Sequence, residues 1–152
     1  EELLNPKEPE IRVINEGNRQ YNQSDEDLGK QGELVVFEKL KQIYTKKYNQ
    51  SATETETGFK VGSSVEVFWR NKNQTTTADH DFKVVELNKE IYIESKATTY
   101  GKNVEKLALY ISGNELNLME SADKYLIARV YNATSENASV EFVRLQLDNV
   151  TN

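Results

Sequence analysis

A chain of 152 residues with no cysteine and a formal charge of −6 has the length of one domain that buries about two-thirds of its unfolded surface, and it excludes disulfide scaffolds, thiolate chemistry and cysteine-ligated zinc. The acidic balance argues against a purely electrostatic nucleic-acid binder, whose affinity comes from lysine and arginine at phosphates, but leaves room for an enzyme whose acids hold a cation. No run nears the roughly 18 apolar residues of a membrane span, and the amino-terminal EELLNPKEPE lacks the parts of a signal peptide, so a cytoplasmic protein without a membrane partner is expected.

Residues 1–23 carry two prolines, scattered charge and the short apolar group IRVI, which reads as a linker or an arm packed on a domain spanning 24–152. Because the chain begins at Glu1, it is expected to be a piece of a longer polypeptide. Six N-x-S/T triplets, the first at Asn22, are read as a by-product of an Asn- and Thr-rich composition. At Ser24 the pattern changes: a cap-like serine precedes acids, and Leu28, Val35, Val36, Leu40 and Ile43 follow at helical spacing up to about Tyr48. SATETETGFKVGSS reads as a polar loop, VEVFWRN as a strand and NKNQTTTA as a second loop. A hairpin follows over DHDFKVVELNKEIYIESKATT, then a short strand at ALYI, a short helix opened by the capping box Ser112 to Glu115, and two strands in KYLIARVYN and SVEFVRLQL. Helix, three strands, helix and two strands make a mixed sheet flanked by helices, of the α/β or α+β class.

The hairpin raises the question of function. With Asn88 and Lys89 as its turn, Asp81 faces Lys96 and Lys83 faces Glu94, and alternation brings all four to one face, while Phe82, Val84, Ile91 and Ile93 form an apolar face opposite. One reading of the charged face is a solvated surface with weak cross-strand ion pairs. The other is a divalent-metal site: Asp81 and Glu94 are hard oxygen ligands of the kind Mg²⁺ takes one or two of, and Lys96 would lie beside an attacked phosphate. The lysine would either orient the attacking water or offset developing charge.

Other residues bear on the same choice. Glu33 shares a helical stripe with Phe37, Leu40 and Tyr44, so it points toward the sheet, as a boundary glutamate or as a further acid of the site. His80 alternates to the face opposite Asp81 and reads as an edge or core histidine before a ligand, and Asp79 could be an auxiliary ligand. Tyr44, Lys46, Lys47, Trp69, Arg70, Lys72, Lys102 and Lys106 interleave bases with aromatics, suited to phosphate contact and base stacking and equally to solvated element ends. Glu115 is accounted for by its capping box.

The ordered segments GKQGE, VEVFWRN, DHDFKVV, IYIESKATT and YISGNELNLMESADKYLIARVYN resemble the NO VEIN C-terminal domain, a member of the PD-(D/E)xK nuclease superfamily, over about residues 29–147. The resemblance implies a restriction-endonuclease-like αβββαβ core and a Mg²⁺-dependent DNA endonuclease, Mn²⁺ substituting. It implies Asp81, Glu94 and Lys96 as the signature residues and Glu33 as the first-helix glutamate that assists the metal. The chain departs from the pattern in two places: no proline precedes Asp81, and the usual E-V-K is Glu94-Ser95-Lys96, with Ser95 on the core-facing side. Such domains are often joined to ATPase, helicase or specificity modules in prokaryotic restriction and antiviral defence proteins, so further domains and DNA are the expected partners. Cutting both strands ordinarily needs two sites, which makes a homodimer a candidate assembly. The competing readings are a catalytically silent nuclease fold that binds DNA or protein, and a carboxylate-rich interaction domain.

Overall fold

In a computed structural model that describes residues 13–15, 23–74, 80–102, 109–121, 124–144 and 150–151, the chain opens with β1 (Val13–Asn15) and α1 (Gln23–Tyr48). The helix starts one residue before Ser24 and buries Val36, Phe37, Leu40 and Tyr44, three- and four-residue steps that place them on one stripe. It stops at Asn49, whose φ of 52° is the left-handed conformation that asparagine tolerates at a helix end.

The stretch expected as a polar loop holds two strands, β2 (Thr53–Glu54) and β3 (Gly58–Val61). The first is an exposed edge pair with no apolar side, which hides it from a periodicity reading. In the second, Phe59 and Val61 are buried and Lys60 is exposed. Gly58 looks like a loop residue but is used for contact, since a side chain there would run into the backbone of Val67. β4 (Val65–Trp69), β5 (Phe82–Glu86) and β6 (Lys89–Ala97) form the expected meander, followed by β7 (Leu109–Ile111), α2 (Gly113–Ser121), β8 (Tyr125–Tyr131), β9 (Ser139–Arg144) and β10 (Val150–Thr151).

Seven strands build one mixed sheet in the order β2-β3-β4-β5-β6-β8-β9, antiparallel throughout except where β6 and β8 run parallel across the α2 connection. Part of the amino-terminal segment read as a linker or arm is strand β1, which pairs in parallel with β7 and β10 in a separate three-stranded sheet. No helix among the described residues is long and apolar enough to cross a membrane.

The register lines Trp69, Phe82, Ile93 and Leu126 in one row and Val67, Val84 and Ile91 in the next, all buried. Phe37 of α1 lies 5.5 Å from Phe59 and 4.9 Å from Trp69, ring to ring. Each such side chain contributes about 1.5–3 kcal/mol, so this face fixes α1 on the sheet. Nearer its start α1 approaches β6 so closely that a Cβ on Gly32 would stand 2.5 Å from Ala97 Cβ, and Glu33 is the next residue.

The hairpin turn differs from the expected one. Its central residues are Leu87 and Asn88, with φ of 49° and 70°, the positive values that a tight two-residue hairpin turn requires at both positions. A leucine there is strained, which is why the sequence favours Asn88 and Lys89. Glu86 pairs with Lys89 and Phe82 with Ile93, so each residue's partner moves by two. Lys83 lies across from Tyr92 instead of Glu94, and Asp81 comes level with Glu94 instead of Lys96. A shift of two preserves the face of every side chain, and Phe82, Val84, Ile91 and Ile93 form the core face as expected.

Candidate active site

At the end of the sheet away from that turn, four carboxylates and a lysine converge from four elements. Asp81 sits on the bend that leads into β5, with its amide bonded to the Ile93 carbonyl at 3.0 Å and its carbonyl accepting the Arg70 amide at 2.8 Å. Asp81 Oδ2 accepts the Ser95 amide at 2.9 Å, and its carboxyl lies close enough to that of Glu94 for each charge to act on the other. Both side chains are buried, at 9% and 7% exposure, which removes them from a solvated face.

Electrostatics follow from that burial. Loss of water, then the charge of Glu33, pushes the Asp81 carboxyl up to about 7. Burial and the neighbouring Asp81 push Glu94 well above the usual carboxylate range. Two buried acids so close cannot both hold their charge without a compensating cation. No donor reaches the buried Glu94 Oε1, so one hard oxygen of the acid pair is orphaned.

Lys96 Nζ lies 3.6 Å from Glu94 Oε2 and 2.9 Å from Glu115 Oε1. Alternation along β6 carries Glu94 and Lys96 to one face, while Ser95 faces α1, its Oγ 3.5 Å from where a Gly32 Cβ would be. Glu33 stands one step back: its Oε1 accepts Trp69 Nε1 at 2.7 Å and Asn71 Nδ2 at 3.1 Å, and the same Asn71 nitrogen reaches Asp81 Oδ1 at 3.2 Å. Burial raises the Glu33 carboxyl, against the pull of those two donors and of Lys30.

Three contributors went unseen in the sequence. Asn71 sits in what reads as a polar loop, and nothing but its place two residues past Trp69 points inward. Glu115 does form its capping box, with the Ser112 amide on Oε1 at 3.0 Å and its own amide on Ser112 Oγ at 3.2 Å, and that sufficient explanation concealed its contact with Lys96. Arg129 is buried, stands level with Lys96 on the adjacent strand and donates to the Lys96 carbonyl at 3.4 Å.

Other candidates fall elsewhere. Lys83 pairs with Glu90 at 3.1 Å, a surface bridge. His80 is buried edge-on against Tyr92 at 4.9 Å; Tyr92 shares a face with Glu94, so the expected opposite face is corrected, because the chain bends at Asp81 before strand alternation begins. Tyr44 and Trp69 are core residues at 0% and 7% exposure and offer no stacking surface. Arg70 and Lys72 flank Asn71 in sequence, with Lys72 Nζ 3.8 Å from Glu54 Oε2 of β2, and Lys30 is close to Asn71, its amine on the Asn71 carbonyl and 5.3 Å from the Trp69 ring. Lys102 pairs with Glu141 at 2.6 Å. Lys46 and Lys47 close the far end of α1, about 20 Å from Glu33 at about 1.5 Å per residue. Asp79 and Lys106 lie outside the described residues.

Whether a divalent ion fits can be judged from the donors. Among the described residues no three His, Cys, Asp or Glu side chains converge as a ready-made metal cage, but Mg²⁺ keeps several waters and takes one or two carboxylates. The buried Asp81–Glu94 pair with its orphaned oxygen fits that demand. The model of the family described as Protein NO VEIN, C-terminal, matches residues 32–144. No curated protein and no solved structure matches the chain.

Proposed function

The chain belongs to the NO VEIN C-terminal family, and on that premise we propose that it is a Mg²⁺-dependent endonuclease domain that hydrolyses DNA phosphodiester bonds, the cleavage module of a prokaryotic restriction or defence protein. The observation that carries this is the buried Asp81–Glu94 pair with Lys96 Nζ 3.6 Å from Glu94. The order α1, a three-stranded meander, α2 and a strand parallel to the last of the three supports a restriction-endonuclease-like core of the PD-(D/E)xK superfamily.

In this reading Asp81 and Glu94 hold the ion, Mn²⁺ serving in place of Mg²⁺, and Glu33 assists through Asn71 by keeping the Asp81 carboxylate turned toward Glu94. The ion supplies an acidified water and neutralises phosphoryl charge. Lys96 places its ammonium at the phosphate, where charge builds in the transition state. Arg70 and Lys72, with Lys30, supply backbone contacts beside Asn71, and Lys102 adds one on the β9 side. Lys46 and Lys47 would meet only DNA that runs the length of α1. A second copy would serve the second strand.

The test is incubation of the purified chain with supercoiled plasmid in Mg²⁺, Mn²⁺ or EDTA, beside Asp81→Ala and Lys96→Ala. Metal-dependent nicking that both variants lose, while circular dichroism shows each still folded at the assay temperature, is the expected result. No cleavage by wild type under any condition would favour the silent nuclease fold, and metal titration of the same proteins would then show whether the acid pair still binds.

A further inference from the structure

We infer that Glu115 is a positioning residue for Lys96: it holds the ammonium beside the acid pair and ties that hold to the first turn of α2. This rests on the proposal that Lys96 is the lysine at the attacked phosphate. One oxygen performs both tasks, since Glu115 Oε1 accepts the Ser112 amide at 3.0 Å and Lys96 Nζ at 2.9 Å. The same ammonium lies 3.6 Å from Glu94 Oε2, and the Glu94 and Glu115 carboxyls are themselves neighbours, so the lysine is held against the acid pair and the start of α2 together.

The choice of residue is what points to a second role. A capping box needs an acceptor at this position, and glutamine serves as well as glutamate. Burying a carboxylate at 6% exposure is costly unless an opposite charge meets it. A cap alone would not require that charge, but a lysine on a flexible four-carbon stem does require something to fix its end. Burial pushes the Glu115 carboxyl up, yet Lys96, Glu94 and the Ser112 amide together hold it below its ordinary value. Glu115 touches no reacting atom in this arrangement and acts through Lys96.

Two substitutions separate the tasks. Glu115→Gln keeps the cap and removes the charge, whereas Ser112→Ala weakens the cap and keeps the charge. In the full chain labelled with ¹⁵N-lysine and free of metal, the Lys96 ammonium, assigned by its loss in Lys96→Arg, is expected to exchange slowly with water in wild type and in Ser112→Ala. In Glu115→Gln that protection is expected to fall at least tenfold. In plasmid nicking with Mg²⁺, Glu115→Gln is expected to lower kcat at least tenfold with KM within twofold, while Ser112→Ala shifts the thermal midpoint and leaves kcat within twofold. Should Glu115→Gln unfold under assay conditions, Glu115→Asp keeps the charge but shortens its reach and is expected to lose protection partially. Unchanged ammonium exchange in the folded Glu115 variant overturns the inference, as does unchanged kcat where wild type cuts. If wild type fails to cut, the nuclease proposal fails, and ammonium exchange alone still decides the role of Glu115.

Discussion

The two ends of the β5–β6 hairpin use the same residue types to opposite effect. At the turn, Glu86 receives Lys47 Nζ at 2.6 Å and the Tyr48 hydroxyl, and Lys83 meets Glu90 at 3.1 Å. There each acid has a cation beside it, and water screens the outer pair. At the far end Asp81, Glu94 and Glu115 are buried as neighbours with Lys96 against the last two, and the half-buried Glu33 adds its charge to that of Asp81. The difference lies in how charge is settled: exposed ion pairs at the turn, and at the far end buried carboxyls held above their usual range with one lysine among them. It also shows why counting charges on a strand could not separate the two: both ends carry Asp or Glu and Lys at alternating positions, and only burial and register distinguish them.

Neutralising one acid of the buried pair is the sharpest way to break this contrast. Asp81→Asn should lower metal-dependent nicking by about 10²–10³-fold, the usual cost of losing a group aimed at transition-state charge. It should also make the stability of the metal-free chain less sensitive to rising pH, since the buried charge is gone while the amide oxygen still accepts the Ser95 amide, though the bond from Asn71 Nδ2 to Oδ1 is lost. The sign follows from linkage. Asp81 ordinarily titrates near 3.8 and does so at about 7 when folded, so between those values the folded chain binds the extra proton, and the stability that proton provides is lost as pH rises from about 4 to about 7. Thermal unfolding at pH 5 and pH 8 should therefore show the wild-type midpoint falling more steeply with pH than that of Asp81→Asn. Equal slopes would mean that the pair is not charged against itself.

Next in size is Gly32→Val. With Ala97 Cβ 2.5 Å from where even a single added carbon would sit, α1 must move off β6, at a cost of about 1–3 kcal/mol in urea unfolding and with loss of nicking as Glu33 moves with it. Trp69→Phe removes the indole donor from Glu33 while keeping most of the ring's packing, and should cost about 1–2 kcal/mol with a smaller fall in nicking than Asp81→Asn. Lys83→Ala at the turn should change stability by under about 0.5 kcal/mol and leave nicking unaltered. A large effect there would erase the distinction between the two ends.

Much of this arrangement was legible in advance. The helix with its buried stripe, the meander, the core face of the hairpin and the convergence of Asp81, Glu94 and Lys96 follow from period and alternation, which act over a few residues. What escaped depends on longer-range facts. The turn position hinges on a strained Leu87 that no preference favours, yet the error spared the site because pairing moved by two and not by one. β2 has no apolar side, the alternation of β3 is confined to Phe59 and Val61, and both strands are recruited by the edge of β4. Asn71 and the second task of Glu115 exist only because β4, α1 and α2 meet, and Trp69, which resembles a stacking surface in sequence, is turned inward by Phe37 and Phe82.

The parallel pairing of β6 with β8 also sets an order of events during folding. β5 and β6 join through a two-residue turn and can zip locally, bringing Asp81 level with Glu94 early. The β6–β8 ladder must wait for the α2 crossover, and such non-local parallel pairing is slow to form. In a refolding chain the acid pair would therefore assemble ahead of the Glu115 clamp, and protection of the β5–β6 amides should precede that of the β8 amides in pulse-labelled exchange.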